Sequence, residues 1–173
     1  AAFEADRLGT AAATGQDVNQ DGYNDVISGA YWNDFGGHDT GTPRVYSGCA
    51  KVWTQVGTPL PGSNGAPNLA ACGVMAGLDK ITLKLINAAP NKPAPLIVGL
   101  SQINIPFHGG VMVPAPDAIF FGAFTNTSGG LELDSTWPDG LPAGLTVLMQ
   151  FWVPDAGAAP GWSASNGVKA TTP

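Results

Sequence analysis

The chain is 173 residues long and only 12% of it is charged, about half the fraction usual in soluble domains. An apolar fraction of 44% allows a buried core, while 24 glycines and 15 prolines leave little room for long helices. A net charge of −6 argues against a nucleic-acid partner, no apolar run approaches the ~20 residues that cross a bilayer, and a helical bundle is excluded with them. The chain opens at Ala1 with no Met, basic region or apolar leader, so it is expected to be a mature or processed product.

The charge is uneven. Residues 1–50 carry seven acids (Glu4, Asp6, Asp17, Asp21, Asp25, Asp34, Asp39) against Arg7 and Arg44, whereas residues 51–173 carry six acids and five lysines. Such a shift suggests two units with different work, and we place them at residues 1–56 and 57–173. Residues 17–25 read Asp-Val-Asn-Gln-Asp-Gly-Tyr-Asn-Asp. Oxygen-bearing side chains fall at positions 1, 3, 5 and 9 of this loop, and Gly22 at position 6 supplies the sharp turn. Calcium takes six to eight oxygens at about 2.3–2.6 Å, which a short loop supplies by coiling round the ion. Asp17, Asn19, Asp21 and Asp25 are therefore candidate side-chain ligands and the Tyr23 carbonyl a backbone ligand. An EF-hand would need flanking helices and a Glu at position 12, where Ser28 stands. The expected object is a calcium loop between strands, against the plainer alternative of a solvated, Asx-rich turn.

The run Leu8-Gly9-Thr10, then residues 15–30 (GQDVNQDGYNDVISGA), then Arg44-Val45-Tyr46-Ser47-Gly48 resembles one FG-GAP repeat, the blade unit of integrin-type β-propellers. The resemblance covers about the first 48 residues. It implies structural Ca2+ on Asp17, Asn19, Asp21, Tyr23 and Asp25. The chain departs from the pattern in having Tyr31 where a proline usually stands, and in having a single repeat. A propeller needs about four blades or more, so this chain cannot close one by itself.

Cys49 and Cys72 straddle a turn-rich, uncharged stretch, residues 57–65 (GTPLPGSNG), which reads as a linker. Two cysteines cannot complete a zinc shell, and His38 and His108 lack ligand spacing. Export favours a Cys49–Cys72 disulfide, with a pair of buried thiols as the alternative. Beyond the linker, candidate strands are residues 81–86, 96–100, 111–113, 118–124, 131–133, 145–153 and 168–171. They are separated by proline clusters at 90/93/95, 114/116, 138/142 and 154/160. Residues 81–85 alternate cleanly, which predicts one buried and one wet face. Residues 145–153 are apolar except for Thr146 and Gln150, which predicts a mid-sheet strand. The rhythm predicts an all-β fold, an FG-GAP-like blade segment followed by a β-sandwich of about seven to eight strands. Residues 62–69, 98–101, 145–153 and 165–168 also resemble the C-terminal sandwich modules that follow FG-GAP repeats in secreted proteins of planctomycete-type bacteria.

Catalysis finds no support. His108 precedes Gly109-Gly110 as a loop residue would, Ser101, Ser163 and Ser165 lack a nucleophile elbow, and Asn126-Thr127-Ser128 is a sequon of no weight in a bacterial chain. Trp32, Trp53, Trp137, Trp152 and Trp162 serve either as core and wedge residues or as a sugar-stacking platform. A lone blade cannot bury its faces, and its open edges invite strand pairing. The expected function is a non-catalytic, secreted or surface structural protein that self-associates, into filaments by strand addition through its N-terminal segment. The alternative is a glycan- or protein-binding adhesion module at the end of a larger propeller protein. Expected partners are other copies of the chain, with glycans or surface proteins under the alternative.

Overall fold

Short apolar runs cut by glycine and proline favour strands over helices, and the described residues contain no helix. The computed structural model describes residues 8–18, 24–30, 41–49, 52–159 and 161–173. It divides into two compact units, Ala1–Ala50 and Lys51–Pro173. The first contains β1 (Leu8–Gln16), β2 (Asp25–Ala30) and β3 (Thr42–Tyr46), an antiparallel sheet in the order β1-β2-β3. The middle strand buries Asp25, Ser28 and Ala30, whereas Val45 and Tyr46 on β3 are exposed.

The second unit contains β4 (Thr54–Val56), β5 (Asn68–Cys72), β6 (Lys80–Ile86), β7 (Leu96–Gly99), β8 (Gln102–Phe107), β9 (Gly110–Pro114), β10 (Ala118–Phe120), β11 (Leu131–Thr136), β12 (Thr146–Pro154), β13 (Trp162–Ala164) and β14 (Gly167–Thr171). One sheet runs β10-β7-β12-β14-β4, with β13 pairing β12, and a second runs β11-β6-β5. Their facing surfaces enclose the main core. Leu69 and Ala71 of β5, Ile81, Leu83 and Leu85 of β6, Val147, Met149, Phe151 and Val153 of β12, and Val168 and Ala170 of β14 meet there. The alternation at 81–85 is observed as expected, Ile81, Leu83 and Leu85 being buried between partly exposed Thr82 and Lys84.

β12 lies mid-sheet between β7 and β14, and both of its faces are covered. Trp152 on the opposite face packs with Ile97, Met112 and Ala164 in a second small core, closed by Leu60 and Trp162. The β8–β9 hairpin supplies Met112 to this layer, so the architecture has a third layer beyond a plain sandwich. Residues 57–65, expected to be a linker, belong to this unit. Leu60 exchanges two backbone hydrogen bonds with Ala164, and Gly62 and Gly65 close a tight turn. The division after Ala50 also places β4 in the second unit, where it pairs β14, six residues earlier than the expected boundary at 56/57. Uncharged turn residues look like a linker in sequence, yet here Leu60 pairs with Ala164 of β13, Gly62 pairs with Gly65, and Ser63 N–H is taken by Asp155.

Gln150 is wholly buried on β12, and its amide is saturated. Oε1 accepts from Val113 N–H at 3.0 Å and Trp152 Nε1–H at 3.1 Å, and Nε2 donates to Val111 O at 3.1 Å and Ser165 O at 2.8 Å. One side chain thus fixes β9, the β13–β14 turn and the Trp152 ring. Beside it, Ser165 Oγ accepts from Phe151 N–H and donates to Asn166 O. Asn166 then joins the two sheets, its Oδ1 accepting from Leu69 N–H at 2.8 Å and its Nδ2 donating to Leu69 O at 2.9 Å.

Gln150→Met conserves volume but strands two buried donors, the buried Ser165 carbonyl and the part-buried Val111 carbonyl. It is expected to destabilise the second unit by about 3 kcal/mol, read from urea unfolding followed by tryptophan fluorescence. Gln55→Met, at an exposed position of β4, is expected to stay within about 0.5 kcal/mol of the unsubstituted protein.

Candidate functional site

The candidate loop spans the β1–β2 connection, so strand pairing brings its two ends together. Asp17 is exposed at one end. Asn19, Asp21 and Tyr23 lie outside the described residues. Asp25 opens β2 and is 1% exposed. Its Oδ2 accepts from Val18 N–H at 2.9 Å, closing the loop, and its Oδ1 accepts from Gly48 N–H at 3.2 Å, tying the end of β3 to the same point. A buried carboxylate needs such donors, because desolvation without them is costly. The donor set of Asp17, Asn19, Asp21, the Tyr23 carbonyl and Asp25 consists of hard oxygens, the chemistry that suits calcium rather than a soft transition metal.

Neither Cys49 nor Cys72 is a free thiol, and both are disulfide-bonded. The Cys49 backbone N–H also donates to Ser47 Oγ at 3.2 Å. His38 and Trp32 lie outside the described residues. Trp152 and Trp137 are buried, and half-buried Trp53 donates its indole N–H to Gly73 O at 2.8 Å. Trp162 is half-buried and stacks on exposed His108 with ring centroids 5.1 Å apart and an interplanar angle of 27°. Phe107 packs edge-on against Trp152 at 4.9 Å. Ser163 and Ser165 are buried, and Ser165 spends its hydroxyl on the Gln150 network. The Asn126 side chain shapes its own turn, with Oδ1 accepting from Ser128 N–H, Ser128 Oγ–H and Gly130 N–H.

A second buried carboxylate was not foreseen from the residues. Asp155 is 2% exposed just past β12. Its Oδ2 accepts from Ser63 N–H at 2.7 Å, and its Oδ1 accepts from Ser63 Oγ–H at 2.8 Å and Gly157 N–H at 3.1 Å. A Cβ at Gly62 would strike Asp155 Oδ2 and Ser163, so this turn needs glycine for close approach. Burial taken alone pushes the Asp155 carboxyl up. The donors from Ser63, backbone and hydroxyl, and from Gly157 and Ala158 outweigh it and hold the group below the ordinary carboxylate value. The sequence signal was present in Asp-Ala-Gly after a Pro, an Asx-turn pattern, but its partner stands 92 residues away.

The FG-GAP repeat family model matches residues 8–46, the stretch that holds β1, β2, β3 and the candidate loop. This match points to an extracellular, adhesion-type β-propeller unit in the first part of the chain, of the kind that occurs in surface proteins. It ends before the second unit. No curated protein and no solved structure matches the chain. No helix among the described residues is long and apolar enough to cross a membrane.

Asp25→Ala is expected to free the Val18 and Gly48 amides and cost the first unit about 2 kcal/mol, seen as faster hydrogen exchange at those two positions. For Asp155, the folded pKa lies below the unfolded value of about 3.9. Its contribution is therefore present above that value and is lost as the pH falls through the lowered folded pKa. Asp155→Asn turns an amide donor toward the Ser63 and Gly157 donors and is expected to cost about 2 kcal/mol at pH 7. Urea midpoints measured down to pH 2 are expected to show the gap between variant and unsubstituted protein closing below about pH 4.

Proposed function

We propose that this chain is a non-catalytic extracellular structural protein that self-associates through its N-terminal segment by β-strand addition, with calcium rigidifying the loop at residues 17–25. The observation that carries this reading is the sheet β1-β2-β3, in which β1 and β3 are the outer strands among the described residues and which lies within a repeat-family match. A repeat unit buries its faces only against neighbours, and two- or three-stranded pieces are marginal alone. Strand addition from another copy satisfies such an edge, and a head-to-tail contact of that type propagates into filaments. Calcium would be held by Asp17, Asn19, Asp21, the Tyr23 carbonyl and Asp25. Asp25 is the member that also receives the loop and the end of β3 through backbone hydrogen bonds. In this reading residues 57–173 are the C-terminal sandwich module of a secreted bacterial protein, with structure and not chemistry as its role.

The adhesion alternative has one observation behind it, the His108–Trp162 stack beside Phe107, an aromatic shelf able to pack on the apolar face of a sugar ring. The burial of Trp137 and Trp152 favours the structural reading, because it removes the largest rings from any exposed platform.

Light scattering and negative-stain microscopy in ~1 mM calcium, a level to which extracellular sites are tuned, test the proposal. Regular assemblies are expected, dispersing in EDTA and absent when residues 1–48 are deleted. A deletion protein that still assembles would refute the N-terminal reading. With calcium at 100 times its dissociation constant, binding is expected to stabilise the native chain by about 2.7 kcal/mol. Asp21→Ala is expected to abolish that increment in thermal unfolding with and without EDTA.

A further inference from the structure

Three pairs in which glycine follows Asn or Asp stand among the described residues, Asn64-Gly65, Asp139-Gly140 and Asn166-Gly167. A fourth, Asp21-Gly22, lies outside them. In such a pair the glycine nitrogen can attack the Cγ of the preceding side chain and close a five-membered succinimide, because no Cβ on the glycine obstructs the approach. Closure needs a side chain free to swing over its own main chain. The fold denies that freedom to two of the pairs. Asn64 Nδ2 donates to Ala88 O at 3.0 Å and Ser128 O at 3.2 Å, and Gly65 N–H donates to Gly62 O at 3.3 Å. Asn166 is buried, with Oδ1 accepting from Leu69 N–H and Nδ2 donating to Leu69 O and Gly167 O. Asp139 has no such restraint. It lies between β11 and β12 in the stretch 138–144, every residue of which is exposed. Among the described residues neither its carboxylate nor the Gly140 N–H has a hydrogen-bond partner. Its side chain lies against Gly77, where an added Cβ would strike it.

We propose that Asp139 is a site of spontaneous backbone modification, converting to isoaspartate through a succinimide formed with Gly140. The Gly140 nitrogen bonds to Cγ, and the hydroxyl of the protonated carboxyl departs as water with the amide proton. Water then adds to one of the two imide carbonyls, and the bond from that carbon to nitrogen breaks. Breakage at the former side-chain carbon restores aspartate. Breakage at the former main-chain carbon leaves that carbon as the free carboxylate and routes the chain through Cβ and Cγ. Water leaves and returns, nothing is oxidised or reduced, and the charge is unchanged. The product therefore accumulates with the age of the molecule. The backbone gains one atom there, and ties on either side confine the change. Trp137 N–H donates to Asp79 O at 2.8 Å and Trp137 O accepts from Leu78 N–H at 3.0 Å, while Pro142 O accepts from Thr172 Oγ1 at 2.6 Å.

The test compares each site in the folded and the unfolded chain. The full chain is kept warm for weeks in mildly acidic buffer, with and without urea, and sampled. Endoproteinase Asp-N, which cuts before aspartate and not before isoaspartate, reports position 139, and electron-transfer fragmentation locates isoaspartate at 64, 139 and 166. Folding is expected to leave the rate at 139 within about 3-fold of its unfolded value. It is expected to slow the rates at 64 and 166 by about 10-fold or more, because those side chains react only when the fold opens. Gly140→Ala is expected to slow the reaction at 139 in the unfolded chain, where the φ of 75° that Gly140 adopts in the fold no longer matters. A rate at 139 that folding slows by about 10-fold or more would overturn the proposal. So would an Asn64 or Asn166 that reacts as fast folded as unfolded, because restraint by the fold would then not govern reactivity. A Gly140→Ala chain that isomerises unhindered overturns the route through the Gly140 nitrogen.

Discussion

The amide of Gln150 is the point on which the second unit turns. A polar side chain at the centre of a strand buried on both faces is costly unless every hydrogen-bonding group is met. Here all four are met, by Val113, Trp152, Val111 and Ser165. An apolar residue could fill the same volume without selecting which hairpin covers the outer face. The amide selects it, because only a backbone that presents a donor at 113 and an acceptor at 111 satisfies it. Ser165 and Asn166 extend that specification to the main core, since Asn166 holds Leu69 from the opposite sheet by both its donor and its acceptor. The position of the β8–β9 layer and the spacing of the two sheets are thus set by three adjoining polar side chains.

The all-β class was legible because proline and glycine punctuate the chain too often for helices. The central place of residues 145–153 was legible because nearly continuous apolarity has few other uses. Polar exceptions carried more information than the apolar run, but Gln150 and Asp155 act through partners distant in sequence, and no local pattern announces such pairs. Residues 102–107 were not foreseen as a strand. Pro106 and the positive φ of Asn104 mark β8 as irregular, and it survives because it needs only one neighbour, β9. Residues 68–72 escaped notice for another reason. Asn-Leu-Ala-Ala-Cys has weak strand propensity, and it is held in the sheet by β6 and by the Asn166 side chain. The stretch 57–65 was misread as a linker because turn composition is the same whether a turn hangs in solvent or is pinned by Asp155.

The first unit follows a different logic. Its buried polar anchor, Asp25, ties an end of its own loop to the end of β3, within one small sheet. The candidate loop was legible because oxygen donors at alternate positions around a glycine form a short-range pattern. Local pattern is what a family model reads as well, and the match at residues 8–46 covers the stretch where such a pattern exists. The second unit is tied together by polar pairs distant in sequence.

The same long-range pairs bear on how the molecule is made. Ser63 waits for Asp155 across 92 residues, and Leu69 waits for Asn166 across 97. Residues 60–72 therefore cannot reach their native environment until the chain has been synthesised to about residue 166. Topologies dominated by such distant contacts fold slowly, because loop-closure entropy is lost before any contact compensates it. During that interval the uncharged, aromatic stretch around β10 travels uncovered. A unit closed by pairs this far apart in sequence stays open until both members of each pair have been made. The architecture that makes the finished sandwich specific also postpones its completion.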